Sequence, residues 1–477
     1  MNIRIILYTL GWVLNLEAAA MILPLICSLC YGESPVPFLI SIALTAVLGI
    51  AFTVKKPKNI SMYSREGYTS VALSWVVLSI MGALPFFISG YIPNFMDAVF
   101  ETVSGFTTTG ASILTDVEAL PKGLLFWRSF THWLGGMGII VFLIALLPLF
   151  GGSNLYLIKA ESPGPSVSKL VPKVKSTAKI LYSIYLSFTA IEIVLLLIGK
   201  MSVFDALTTT FGTAGTGGFG VKNSSMADYS PYIQNVVTVF MLIFGVDFSI
   251  YYLLLVKKFS SAVKSTELRT YLGIVLTSAI IIAFNCRHLF ANIWTALHHA
   301  FFQVASLMTT TGYATANFDT WPSLSKAILL ALMFIGACAG STGGGIKVSR
   351  IVILVKSIFK EIRIAAHPKS TLKITMNGNV IEHETLRAVN VYMAAYFLIV
   401  ALSILIISID NFDFETNFTA VASALNNIGP GFSKVGPAEN FSIFSNLSTF
   451  VLALDMLIGR LEIFPMLMLL SPRTWKK

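Results

Sequence analysis

The stretch TTTGYAT, Thr309 to Thr315, sets a run of hydroxyls, a glycine and an aromatic between long apolar blocks. A near copy, TTTGAS, begins at Thr107. Neither suits a lipid-facing helix, and their recurrence decides how the rest of the chain is read. Of the 477 residues, 55% are hydrophobic and 12% charged, and mean hydropathy is +0.78. Soluble globular chains carry about 25% charged residues. Apolar blocks of about twenty residues recur, each long enough for a hydrocarbon core of about 30 Å. An all-α polytopic membrane protein is therefore expected, since a β-barrel would be written in short alternating segments.

The spans are expected at 4–31, 36–54, 68–90, 124–150, 178–199, 233–256, 270–290, 325–357, 386–409 and 441–470. The N-terminal apolar run continues to about Cys30, too long for a signal-peptide core, and reads as a retained first span. The formal charge of +10 has a placement that explains it. If every block crosses, most Lys and Arg fall in alternate connections, among them Lys55, Lys56, Lys58, Lys159, Lys169, Lys173, Lys257 and Lys258. That asymmetry is the positive-inside pattern, with both termini cytoplasmic. Basic excess thus reports topology, and no nucleic-acid partner is expected.

The last eight spans form four pairs, and each pair encloses a shorter apolar segment that ends in glycine. Aligned, these segments read VSGFTTTGAS (Val103–Ser112), TFGTAGTGGF (Thr210–Phe219), ASLMTTTGYA (Ala305–Ala314) and ASALNNIGPG (Ala422–Gly431). The shared glycines in this alignment are Gly110, Gly217, Gly312 and Gly429, with Ser104, Phe211, Ser306 and Ser423 six residues earlier. Each lead of about ten residues makes about 15 Å of helix, enough to enter a bilayer but not to cross it. Irregular backbone at that depth survives only inside protein or along water. The expected architecture is four pseudo-symmetric helix–pore-loop–helix repeats around one pore, plus two extra N-terminal transmembrane helices. The divisions fall at 1–66, 67–177, 178–267, 268–384 and 385–477.

Four such loops can turn carbonyl oxygens toward a common axis and replace the hydration shell of a cation. Glycine tolerates the positive φ this requires. The negative ends of the pore-helix dipoles would favour the same charge. No carboxylate ring aligns with the glycines, which disfavours a divalent ion. The candidate ion-binding residues are Thr108, Thr109, Gly110, Gly215, Thr216, Gly217, Thr310, Thr311, Gly312, Asn427, Ile428 and Gly429. The bland alternative is that these small residues only allow close helix packing. It fits one loop as well as the pore does, but explains four aligned copies poorly.

With FGTAGTGGFG, TTTGYATANFDTWP and NNIGPGF in hand, the chain resembles the Trk/Ktr/HKT superfamily of potassium transporters over nearly its whole length. The two extra spans bring it closer to the Trk members than to the Ktr ones. In that family a glycine in the first loop goes with potassium and a serine with sodium-favouring relatives, so Gly110 implies K+ as the transported ion. The resemblance further implies a homodimer in the bacterial inner membrane. It also implies a cytosolic RCK-type nucleotide-binding regulatory subunit (TrkA-like), so that nucleotide acts only through that partner. No cofactor is expected in this chain. The basic segments at 159–179 and 347–363 could dock such a regulator.

A second glycine-rich stretch, GACAGSTGGGIKVS (Gly336–Ser349), has five glycines within ten residues. Each costs a helix about 1 kcal/mol relative to alanine, so the span should break near mid-membrane. The resemblance makes Gly340, Ser341, Thr342, Gly343, Gly344 and Gly345 a gate beneath the filter; a tightly packed kinked helix is the alternative. A phosphate-binding P-loop fails on spacing, with Lys347 one place late and Val348 following. Arg460, in LDMLIGRLEIFP, lies deep in the last span, where an arginine is costly and faces a cavity or a partner. The resemblance makes it an electrostatic barrier or latch, and an ion pair with Asp455 or Glu462 is the competing reading. Asp247 and Glu192 are further intramembrane acids, read as counter-charges ahead of a coupling site. Cys27, Cys30, Cys286 and Cys338 and the six histidines form no metal pattern. Two functional rivals remain: an alternating-access secondary transporter, which predicts inverted repeats, and a sodium-permeable cation transporter. No nucleophile–base or metal set supports an enzyme.

Overall fold

The computed structural model describes residues 1–57, 63–138 and 174–475. The N-terminal helix, Ile3–Ala20, resumes after a turn as Ile22–Cys30 and packs antiparallel on Val36–Thr53. These are the two extra N-terminal spans. Four units follow, each a long helix, a short pore helix and then a further helix, beginning at Lys122, Pro231, Ser323 and Asn446 respectively. The pore helices are Phe95–Phe106, Val203–Gly215, Ile293–Met308 and Phe414–Asn426. At 12 to 16 residues they are about 18–24 Å long, short of the bilayer core.

Each pore helix starts at a polar cap. Asn94 accepts from Met96 N, Ser202 from Asp205 N, Asn292 from Thr295 N and Asp413 from Thr416 N, at 2.9 to 3.1 Å. Such caps satisfy orphan N–H groups and contribute about 1 kcal/mol each. At their other ends the pore helices converge on the centre of the molecule. There Thr107–Thr109, Thr309–Thr311, Asn426 and Asn427 are buried with almost no exposure. A chain this apolar therefore keeps its polar side chains inside and turns Leu, Ile, Val and Phe outward, as lipid solvation favours.

Several of the expected crossings are not continuous helices. Among the described residues, six helices are long and apolar enough to span a bilayer. The span expected at 233–256 is instead Pro231–Phe244 and Phe248–Leu255, bent by 90° between them. The break is stitched to the glycine-rich stretch by Cys338 N→Gly245 O (3.0 Å) and Phe248 N→Gly340 O (3.1 Å). Those bonds replace intrahelical ones, so two breaks side by side leave fewer orphan groups than either alone. The last span also breaks, between Asn446–Arg460 and Phe464–Leu470, where Glu462 and Ile463 both take positive φ. The later part of the span expected at 124–150, together with residues 58–62 and most of the basic segment 159–179, lies outside the described residues. A two-stranded hairpin, Thr375–Met376 with Asn379–Val380, joins Val348–Ala366 to His383–Ile407 and leaves the fold all-α. It turns through Asn377 and Gly378, both at positive φ as a tight primed turn requires.

Candidate functional site

All four pore helices end in the same way. In the first, Thr109 N bonds Ser104 O at 2.8 Å and Thr108 N bonds Gly105 O at 3.1 Å. Gly217 and Thr216 repeat this on Gly212 and Thr213, Thr311 and Thr310 on Ser306 and Leu307, and Ile428 and Asn427 on Ser423 and Ala424. This is a Schellman ending, whose left-handed residue is ordinarily glycine. Here that residue is Thr108, Thr216, Thr310 or Asn427, with φ from 55° to 58°. A β-branched residue in this region is strained, and three of the four are threonine.

Two residues beyond each strained position comes a glycine at positive φ: Gly110, Gly218, Gly312 and Gly429. The aligned position in the second loop is therefore Gly218 rather than Gly217, and the set Gly215–Thr216–Gly217 moves one place along to Thr216–Gly217–Gly218. Gly215 is the last residue of its pore helix. The partner of Ser104 is Gly212, not Phe211, and Tyr313 corresponds to Phe219, a second aromatic, with Ala111 and Pro430 in the other loops.

These glycines close a ring. A Cβ on Gly110 would overlap Gly217 O, one on Gly218 would overlap Thr311 O, and one on Gly312 would overlap Ile428 O. On Gly429 it would stand 3.0 Å from Thr109 O. Each loop thus rests its glycine on the next loop's peptide carbonyl, in the order first, second, third, fourth and back to first. Side chains reinforce the joints. Asn427 Nδ2 donates to Thr109 Oγ1 at 2.9 Å, and the Tyr313 hydroxyl donates to Thr209 O at 3.1 Å. The hydroxyl pairs Thr107–Thr109 and Thr309–Thr311 lie at 2.8 and 2.7 Å.

Below this ring lies the glycine-rich loop, 336–347, between Ser323–Ile335 and Val348–Ala366. It breaks the helix as expected, with positive φ at Gly336, Gly340, Gly345 and Lys347. Gly344 N donates to Thr310 Oγ1 at 2.6 Å and Gly345 N to Asn426 O at 3.0 Å. The loop's donors therefore occupy acceptors at the C-terminal ends of pore helices three and four. Lys347 Nζ donates back to Gly343 O. Glu267, which the sequence did not single out, accepts from Ala339 N at 2.7 Å and Ser349 N at 3.0 Å, on either side of the loop. Asp247 accepts from Ser249 N as the cap of its helix and faces Gly340.

Arg460 joins the two layers. Its Nη1 donates to Thr108 Oγ1 at 3.0 Å and to Thr342 O at 2.9 Å, and its Nη2 to the carbonyls of Gly135 and Gly136. Those two carbonyls are turned out by a π-helical turn at Leu134–Gly138. Of the acids weighed as partners for Arg460, Glu462 is paired with Arg350, and Asp455 accepts from Ser403 at 2.8 Å. His132, buried, lies 2.8 Å from Gly105 O with its ring against Phe219, a packing role. His298 and His299 bond Gln234 and Thr315. Among the described residues no group of His, Cys, Asp and Glu is arranged to hold a metal.

The ring and the loop beneath it define a helical membrane protein of the pore-loop class, with its four loops carried in one chain. Residues 36–477 match the TrkH family model, described as cation transport protein. Over the whole length of both chains, the sequence is 35% identical to the Trk system potassium uptake protein TrkH of Salmonella typhimurium. It is 31% identical to TrkG of Escherichia coli, covering 100% of this chain and 99% of that one. The crystal structure of the potassium transporter TrkH from Vibrio parahaemolyticus superimposes with a TM-score of 0.88, at 33% identity and complete coverage of both chains. The chain belongs to the TrkH family of cation transport proteins, and is a transporter rather than an enzyme.

Proposed function

We propose that the chain is the pore-forming membrane subunit of a bacterial potassium uptake system, with Thr108–Gly110, Thr216–Gly218, Thr310–Gly312 and Asn427–Gly429 as its selectivity filter. The closed glycine-on-carbonyl ring is the observation that carries this reading. A K+ ion entering it exchanges hydration water for backbone oxygens held at fixed positions. The resemblance to chains named as potassium uptake proteins supports K+ as cargo.

Gly340–Gly345 with Arg460 is the gate in this reading. An ion leaving the ring meets peptide N–H groups and a guanidinium where helix C-termini would otherwise attract it. Opening means withdrawal of the loop and of Arg460 together, because Thr342 O is held by that guanidinium. The chain works as a homodimer in the inner membrane, termini cytoplasmic, with nucleotide acting through a separate RCK-type subunit. The test is bi-ionic current measurement on purified full-length protein in planar bilayers, with and without a proton gradient. K+-favouring current that persists without the gradient is expected. Slow, saturable flux strictly coupled to protons or Na+ would instead establish alternating access. A reversal potential indifferent to K+ against Na+ would remove the filter assignment.

A further inference from the structure

Behind the first and second loops lies a buried ion pair that neither the motifs nor the gate accounts for. Glu101, in the first pore helix, accepts from Arg128 Nε at 2.6 Å, with side-chain exposures of 0% and 4%. It is the most enclosed ion pair among the described residues. Glu101 also accepts from Ser112 Oγ and from Ile113 N at 3.0 Å, just beyond Gly110. Arg128 reaches the other way, donating from Nη1 to Gly220 O at 2.9 Å and stacking on the Phe219 ring at 3.5 Å. Phe219 and Gly220 directly follow Gly218. One charge pair therefore grips the segments downstream of both filter glycines.

The position has a physical reason. The second loop, Thr216–Gly220, contains three glycines, so its backbone has the least intrinsic preference for one conformation. The joints of the third loop with the second and of the fourth with the first use neutral groups, Tyr313 on Thr209 and Asn427 on Thr109. The joint of the first loop with the second, where Gly110 meets Gly217 O, is clamped by charge instead. A buried pair contributes little net stability against an apolar substitute, so its retention points to geometry rather than to folding energy. Only a guanidinium can supply the three contacts at once, because a lysine has neither the plane nor the fork.

We propose that Glu101 and Arg128 are positioning residues that set K+ over Na+ selectivity by holding the pliable second loop against the first. This rests on the reading of the four loops as the filter. The pair touches no ion; it fixes where the carbonyls of the second loop stand. The test uses purified full-length protein carrying Arg128→Lys, Glu101→Asp or both, each of which keeps its charges but alters reach. K+ to Na+ permeability ratios from reversal potentials are expected to fall about fivefold in each, with K+ current still measurable, and the double variant should fall no further because the pair acts as one unit. Unchanged ratios together with lower melting temperatures would overturn the proposal and leave the pair a structural tie. Should either variant fail to fold, Phe219→Leu takes away the ring on which Arg128 stacks, and His132 with it, while leaving the ion pair in place, and should lower the ratio about twofold; no change there would also overturn it. Gly110→Ser serves as the control. If it shifts the ratio while the pair variants do not, the filter stands and the brace falls. If it too has no effect, the filter reading falls and the brace with it.

Discussion

Alanine substitutions at the four ring glycines should not be equivalent. All four positions have φ between 78° and 104°, so each alanine pays backbone strain of about 1–3 kcal/mol. Contact with the neighbouring loop then separates them. At Gly110, Gly218 and Gly312 the new Cβ falls closer than 3.0 Å to a backbone carbonyl oxygen, a separation real Cβ atoms essentially never show. Backbone cannot swing aside as a side-chain end does, so the oxygen of Gly217, Thr311 or Ile428 must retreat toward ordinary contact at 3.4 Å or beyond. At Gly429 the Cβ stands 3.0 Å from Thr109 O, and a few tenths of an ångström suffice. Because a filter works by oxygen placement, the first three variants should lose about tenfold in K+ over Na+ permeability, about 1.4 kcal/mol. Gly429→Ala should lose about threefold or less, close to 0.6 kcal/mol. The assay is the bi-ionic reversal potential of each variant in planar bilayers, with melting temperature in detergent as the check on folding. Equal losses at all four positions, or a loss at Gly429 as large as at Gly110, would refute the argument from carbonyl contact.

Three further outcomes are expected. Arg460→Ala removes the donor that links Thr108 to Thr342, and basal K+ current should rise about tenfold; a lower melting temperature with unchanged current would make the arginine a structural tie. Deleting Gly340–Gly345 should raise single-channel open time, and a pore that stays shut would remove the loop from the gating role. Tyr313→Phe takes a hydroxyl from Thr209 O and Phe219 O and should cost about 1 kcal/mol of stability. Unfolding in denaturing detergent reads this directly, and undiminished stability would mean the joint between the second and third loops is held by packing alone.

Much of the site was legible because it is local. The four hydroxyl-and-glycine runs end apolar leads of about ten residues, a length too short to cross a bilayer whatever packs around it. Five glycines from Gly336 to Gly345 break a helix in any surroundings. The register of the second loop was not legible. TGG, beginning at Thr216, offers two glycines with equal local fitness, and the choice of Gly218 is made by Thr311 O in another loop. The brace left one signal, the charged Arg128 near the start of an apolar block, but its partner Glu101 is set by packing between helices.

The sequence by itself determined that the chain lives in a membrane, that it repeats fourfold, and where helices must give way to loops. Those properties follow from transfer free energy and backbone preference, which act over a few residues at a time. Only the tertiary structure decided where the Pro231–Leu255 and Asn446–Leu470 spans break. Their breaks use at most one glycine, and Glu462 and Ile463 take left-handed φ without one. At the first of them, bonds such as Phe248 N→Gly340 O supply partners from a distant segment. It likewise decided what Arg460 holds and which carbonyl each glycine rests on. A group buried away from water must find its partner wherever the fold brings one, and Thr108 finds its partner in Arg460, 352 residues away.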